Sequence, residues 1–143
     1  MTKKRKILAL DFGLKRTGIA ITDENNIIAY GLTTVQSTAL MEYLKKIVPK
    51  ENVGTLVLGE PKRMNMEDAH ISENVRLLFQ ALKENFPALT IEMMDERFTS
   101  KMASQALFDS GLSKKKRQNK ALIDEVSATI ILQSYLQSID GRG

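Results

Sequence analysis

The chain has 143 residues, 43% hydrophobic and 27% charged, a composition that can build its own core and excludes wholesale disorder. With no cysteine and a single histidine, His70, it excludes disulfide scaffolds, thiolate metal sites, cysteine nucleophiles and multi-histidine metal centres. Lys and Arg number 21 against 17 Asp and Glu, for a net charge of +4. No apolar stretch approaches the ~20 residues of a membrane span. The basic start, Lys3 to Lys6, meets an apolar run too short for a signal peptide. A cytoplasmic protein without a membrane partner is expected, forming one domain over residues 1–143 with no repeat or linker.

In chain order, Lys6 to Leu10 is a short apolar strand pattern ending at Asp11, Gly18 to Thr22 is a second and Ile27 to Val35 a third. The tight Gly13 to Thr17 segment and the turn chemistry of Asp23-Glu24-Asn25-Asn26 make them an antiparallel meander. From Ser37 the period turns helical. Leu40, Leu44, Ile47 and Val48 share a face, Ser37 or Thr38 serves as the cap, and Pro49 ends the helix. Thr55 to Leu58 has the fully apolar pattern of a central parallel strand. Lys62 to Asp68 is polar and loop-like, and includes Met64 and Met66. Ile71, Val75, Leu78, Phe79 and Leu82 mark a second helix ending near Pro87, with His70 as a surface or capping residue just before its apolar face. Leu89 to Met94 is a fifth strand. Thr99 or Ser100 caps a third helix closed by Gly111. Ser113 to Asn119 is a basic loop, and a fourth helix covers Lys120 to about Gln137, with Ile123, Ser127, Ile130 or Ile131, and Ser134 along one side. The order β-β-β-α-β-α-β-α-α is that of an α/β fold, a meander feeding parallel strands through helical crossovers.

Three acidic positions stand where chemistry gathers. Asp11 ends the first strand between an apolar run and Gly13, which permits close backbone approach to a phosphate or metal. The other reading is an Asp that closes a strand. Asp95-Glu96-Arg97 follows the fifth strand, and the C-terminal ends of parallel strands are where ligand sites collect in open α/β sheets; it also reads as an exposed charged turn. Asp124 lies one helical turn before Ala128, on a small-residue face that lets a helix press against a sheet; it also reads as a surface Asp favoured by the helix dipole. Together the three suit a hard divalent ion such as Mg²⁺. Two such ions would clamp the attacking and leaving oxygens of a phosphodiester. The cationic cluster Lys114, Lys115, Lys116, Arg117 and Lys120 suits a polyphosphate partner, since each neutralised phosphate releases counterions; it also reads as a solvated loop.

These residues carry a resemblance. Asp11-Phe12-Gly13-Leu14-Lys15-Arg16-Thr17-Gly18-Ile19-Ala20 resembles the opening D-x-G-x-K-R-x-G-x-A motif of the YqgF/RuvX family, also called Holliday-junction-resolvase-like or pre-16S rRNA nuclease. Asp95-Glu96-Arg97-Phe98-Thr99 resembles its D-E-R-x-T motif, and Asp124 with Ala128, Ile131, Leu132 and Gln133 resembles its D-x-x-A-A-x-x-I-L-Q helix. Val57-Leu58-Gly59-Glu60-Pro61 stands where the family commonly has V-V-G-L-P. The motifs run in order along essentially the whole chain. Two positions depart: Ser127 replaces the first Ala of the helix motif, and Glu60 replaces Leu, either as a fourth acid or as a loop charge pairing Lys62 or Arg63.

The resemblance implies a ribonuclease-H-like fold: a five-stranded mixed sheet, with an antiparallel β1-β2-β3 meander plus parallel β4 and β5, flanked by helices. It implies a nuclease that processes the 5′ end of precursor 16S ribosomal RNA, with branched DNA as the alternative substrate and ribosomal particles as a further class of partner. By position it makes Asp11, Glu96 and Asp124 the catalytic and Mg²⁺- or Mn²⁺-binding acids. Lys15, Arg16 and Arg97 become phosphate contacts, joined by Lys114, Lys115, Lys116 and Arg117 of the basic loop. Two other classes remain open. One is a nucleic-acid or ribosome-binding module without catalysis, for which converging carboxylates have no use. The other is an actin- or sugar-kinase-type ATPase, which needs two such domains.

Overall fold

The computed structural model describes the backbone of residues 5–60, 66–95 and 120–140, and the side chains of residues 5–59, 73–94 and 125–139. Strands β1 (Lys6–Phe12), β2 (Arg16–Thr22) and β3 (Ala29–Gln36) lead through a 3₁₀ turn (Ser37–Ala39) into helix α1 (Leu40–Lys50). Then come β4 (Val53–Glu60), α2 (Met66–Asn85), β5 (Thr90–Asp95) and α3 (Lys120–Asp140). The five strands form one sheet in the order β3-β2-β1-β4-β5. β1–β2 and β2–β3 pair antiparallel, while β1–β4 and β4–β5 pair parallel. The expected meander with two added parallel strands is therefore present, and β1 lies at its centre.

The continuous apolar run of β1 follows from burial on both faces. Leu8 and Leu10, with Leu56 and Leu58 of β4, pack against Leu40, Leu44, Ile47 and Val48 of α1 and Val75 and Leu82 of α2. Alternate residues Ile7 and Ala9, with Ala20, Ala29 and Val57, pack against Ala128, Ile131, Leu132 and Leu136 of α3. On the meander side this layer is built mostly of small residues, Ala9, Ala20 and Ala29. A Cβ on Gly31 of β3 would stand 3.3 Å from Thr129 Oγ1 and 3.5 Å from the Cβ of Glu125. Gly31 therefore lets α3 sit close over the meander.

Several boundaries differ from the sequence expectation. β3 begins at Ala29, not Ile27, because Asp23 Oδ1 accepts the N–H groups of Ile27 (2.7 Å) and Ile28 (3.0 Å) and draws both into the turn. α1 runs through Pro49 to Lys50. A proline in the last turn forfeits only one late hydrogen bond, and the helix ends where Asn52, at φ 54°, turns left-handed. Neither Ser37 nor Thr38 caps α1: Ala39 stands at its N-cap and makes no side-chain cap bond. β4 extends beyond Thr55 to Leu58 in both directions, and α2 begins at Met66, inside the segment read as a loop. The buried line of α3 runs through Ser127, Ala128, Ile131, Leu132 and Leu136, whereas Ser134 is only half-buried. The expected third helix with its Gly111 end, and the basic loop Ser113 to Asn119, lie outside the described residues. Among the described residues, no helix is long and apolar enough to cross a membrane.

Candidate active site

Asp11 is the last residue but one of β1, pairs with Gly18 of β2, and is half-buried. Strand alternation decides its face. Leu8, Leu10 and Phe12 belong to the α1/α2 side, Ile7 and Ala9 to the α3 side, so Asp11 projects on the α3 side. Leu10 pairs with Leu58, and Leu58 with Met93. The next row thus holds Asp11, Gly59 and Met94, all at the C-terminal edge of the parallel strands. Asp95 closes β5 opposite Glu60, and Glu96 follows in sequence, outside the described residues.

Asp124 lies in the first turns of α3; its side chain is outside the described residues. The contact of Glu125 with Gly31 fixes where this part of the helix backbone runs. Gly31 pairs with Ala20 and Ala20 with Ala9, two residues before Asp11 on β1. The stretch of α3 that carries Asp124 therefore crosses the same face and neighbouring rows of the sheet as Asp11. Burial at this crossing pushes the Glu125 carboxyl above its ordinary value.

The turn between β1 and β2 carries the first cations. Gly13 N–H donates to the Arg16 carbonyl at 2.9 Å. Lys15 is exposed and Arg16 half-buried, with Leu14 between Gly13 and Lys15 56% exposed. The structure thus brings Asp11, Lys15 and Arg16 to one edge. Arg97, Lys114, Lys115, Lys116 and Arg117 lie outside the described residues. Among the described residues, no three His, Cys, Asp or Glu side chains gather as a metal site, and of the three expected ligands only Asp11 has a described side chain. The donor set itself, carboxylate oxygens at a strand end and on a facing helix, matches the oxygen preference of Mg²⁺ or Mn²⁺.

Sequence reading missed Ser37. The sequence offers it, with Thr38, as a helix cap, yet its hydroxyl donates to the Gly13 carbonyl at 2.5 Å and its backbone N–H to the Lys15 carbonyl at 2.9 Å. A serine after a strand carries no sequence signal for such a distant partner.

Known proteins are similar to this chain over nearly its whole length. The RuvX family model, described as Holliday junction resolvase, matches residues 5–138. A Flavobacterium psychrophilum protein named "Putative pre-16S rRNA nuclease" is 55% identical over 131 residues, covering 92% of this chain and 96% of its own length. The protein of the same name from Phocaeicola vulgatus is 51% identical over 133 residues, covering 93% and 96%. Among solved structures, T. thermophilus RuvC in complex with Holliday junction substrate aligns with a TM-score of 0.62 at 14% identity, covering 96% of this chain and 97% of that one. That likeness, with the mixed sheet order, makes the fold ribonuclease-H-like. With the family model spanning nearly all of the sequence and relatives sharing half of their residues with it, the chain belongs to the RuvX family.

Proposed function

We propose that the protein is a divalent-metal-dependent nuclease that hydrolyses phosphodiester bonds in precursor 16S ribosomal RNA. The observation that carries this reading is Asp11: a half-buried carboxylate at the C-terminal edge of the central strand, on the face crossed by the helix that bears Asp124. Relatives about half identical to it carry the pre-16S rRNA nuclease name. In this reading Asp11, Glu96 and Asp124 hold Mg²⁺ or Mn²⁺, which when bound supplies an activated water and charge stabilisation at the phosphate. Lys15 and Arg16 bind the backbone phosphates beside Asp11, and Arg97, Lys114, Lys115, Lys116 and Arg117 extend that surface. The carboxylates alone would repel the nucleic acid, so the cations also offset their charge.

The test is cleavage of a 5′-extended precursor 16S RNA by the full chain with Mg²⁺, with Mn²⁺ and with chelator, run beside a four-way DNA junction and precursor-containing ribosomal particles. Metal-dependent cleavage of the RNA, lost in Asp11→Asn, supports the reading. Preferential cleavage of the junction transfers the substrate to branched DNA, the activity by which the family model is described. Tight binding without cleavage under every metal condition makes the protein a non-catalytic binder.

A further inference from the structure

The β1–β2 turn is held from outside itself. Beyond the hairpin bond from Gly13 N–H to the Arg16 carbonyl, Ser37 at the β3–α1 junction grips it twice. Its backbone N–H donates to the Lys15 carbonyl at 2.9 Å and its hydroxyl to the Gly13 carbonyl at 2.5 Å. Thr17 Oγ1 lies 2.9 Å from Ser37 Oγ. With the serine proton committed to Gly13, Thr17 is the donor. Thr17 is itself fully buried and pairs with Val35 of β3. The carbonyls on both sides of Leu14 are thus tied to one residue that belongs to neither strand of the hairpin. The 3₁₀ turn that Ser37 opens is capped at Gln36 without a side-chain bond, so the hydroxyl serves the hairpin and not the helix.

A backbone anchored in this way, carrying an exposed Lys15 and a half-buried Arg16, is the arrangement that preorganises a binding loop. The main chain is ordered before the ligand arrives, so binding immobilises less. We infer that Ser37 is a positioning residue for nucleic-acid binding, holding the Gly13–Arg16 turn so that Lys15 and Arg16 meet phosphates beside Asp11. This rests on the reading of that turn as a phosphate contact. Ser37→Ala deletes the grip on Gly13 and the partner of Thr17 but keeps the N–H bond to Lys15, so the turn loosens without losing its strands. Ser37→Thr retains the hydroxyl.

The experiment is fluorescence anisotropy of a labelled 5′-extended precursor 16S RNA fragment, with chelator present to prevent cleavage. The wild type, Ser37→Ala, Ser37→Thr, and the pair Lys15→Ala/Arg16→Ala with and without Ser37→Ala are compared. Loss of one such hydrogen bond weakens binding about 3- to 10-fold. Ser37→Thr recovers most of it, and Ser37→Ala adds nothing once both cations are gone. A merely structural serine would give the same loss in both backgrounds, and that result overturns the inference. So does wild-type affinity in Ser37→Ala while the cation pair is weakened, an outcome that leaves the phosphate-contact reading standing. Wild-type affinity in the cation pair removes that reading and the positioning role together.

Discussion

A Cβ added to Gly13 would stand 2.6 Å from the carbonyl oxygen of Arg16, closer than real Cβ atoms come to backbone. That carbonyl accepts the Gly13 N–H, so it cannot retreat without breaking the turn. Gly13→Ala is expected to destabilise the fold by about 1–3 kcal/mol, the usual range for overpacking, and to displace Lys15 and Arg16. Urea unfolding reads the first effect; weaker RNA affinity at unchanged far-ultraviolet circular dichroism reads the second.

Ser127 Oγ is fully buried and has no hydrogen-bond partner among the described residues. A buried hydroxyl left unsatisfied costs about 1–3 kcal/mol. Ser127→Ala, which restores the residue common in the family motif, is expected to stabilise the protein by about 1 kcal/mol, raising Tm by a few degrees. A lower Tm would show that the hydroxyl has a partner in solution.

Asp23 accepts backbone N–H bonds from Ile28 and Ile27, which hold its carboxyl below its ordinary value of 3.8. The folded state therefore binds this proton more weakly than the unfolded chain. The associated stability is present above pH 3.8 and is lost as pH falls through the lowered folded value. Asp23→Asn is expected to flatten the acid limb of the Tm-against-pH curve below about pH 4, leaving its shape at neutral pH unchanged. An identical acid limb in both proteins would contradict this.

Asp11→Asn keeps the shape of the side chain but removes the charge that would hold a divalent ion. Cleavage should disappear while RNA affinity stays the same or tightens, because one anion facing the phosphates is gone. Mg²⁺ should raise the Tm of the wild type but not of the variant, since only a site that binds in the folded state stabilises it. Retained cleavage in Asp11→Asn removes Asp11 from the catalytic set.

What the sequence made legible was whatever rests on periodicity. Leu40, Leu44, Ile47 and Val48 all proved buried on one face of α1, and the apolar Thr55 to Leu58 run became part of the parallel strand beside β1. Asp11 was legible for the same reason, as a charge ending a run buried on both sides. Individual hydrogen bonds were not legible. Ile27 and Ile28 look like strand, yet one Asp23 oxygen bends them into the turn. Ser37 looks like a cap, yet its partners, Gly13 and Lys15, lie on the far side of the meander in sequence. Met66 to Asp68 lacks apolar spacing, but α2 begins there.

The place of β1 in the middle of the sheet has a consequence for the order of folding. Leu8 meets Ile21 through a tight turn, but it meets Leu56 only after α1 has been laid down, and the Gly31–Glu125 contact spans most of the chain. Short loops close first, so the hairpin is expected to form early and α3, the last of these elements, to dock late. On that order, Ile7, Ala9, Ala20 and Ala29 would stay a bare apolar face until it docks, a surface that invites chaperones or aggregation during synthesis. The same docking brings in Asp124. On the proposed reading, a chain whose carboxyl half is still being made has a partly formed sheet but lacks the helix that carries one of the three metal-binding acids, so cleavage would await the closing of the core.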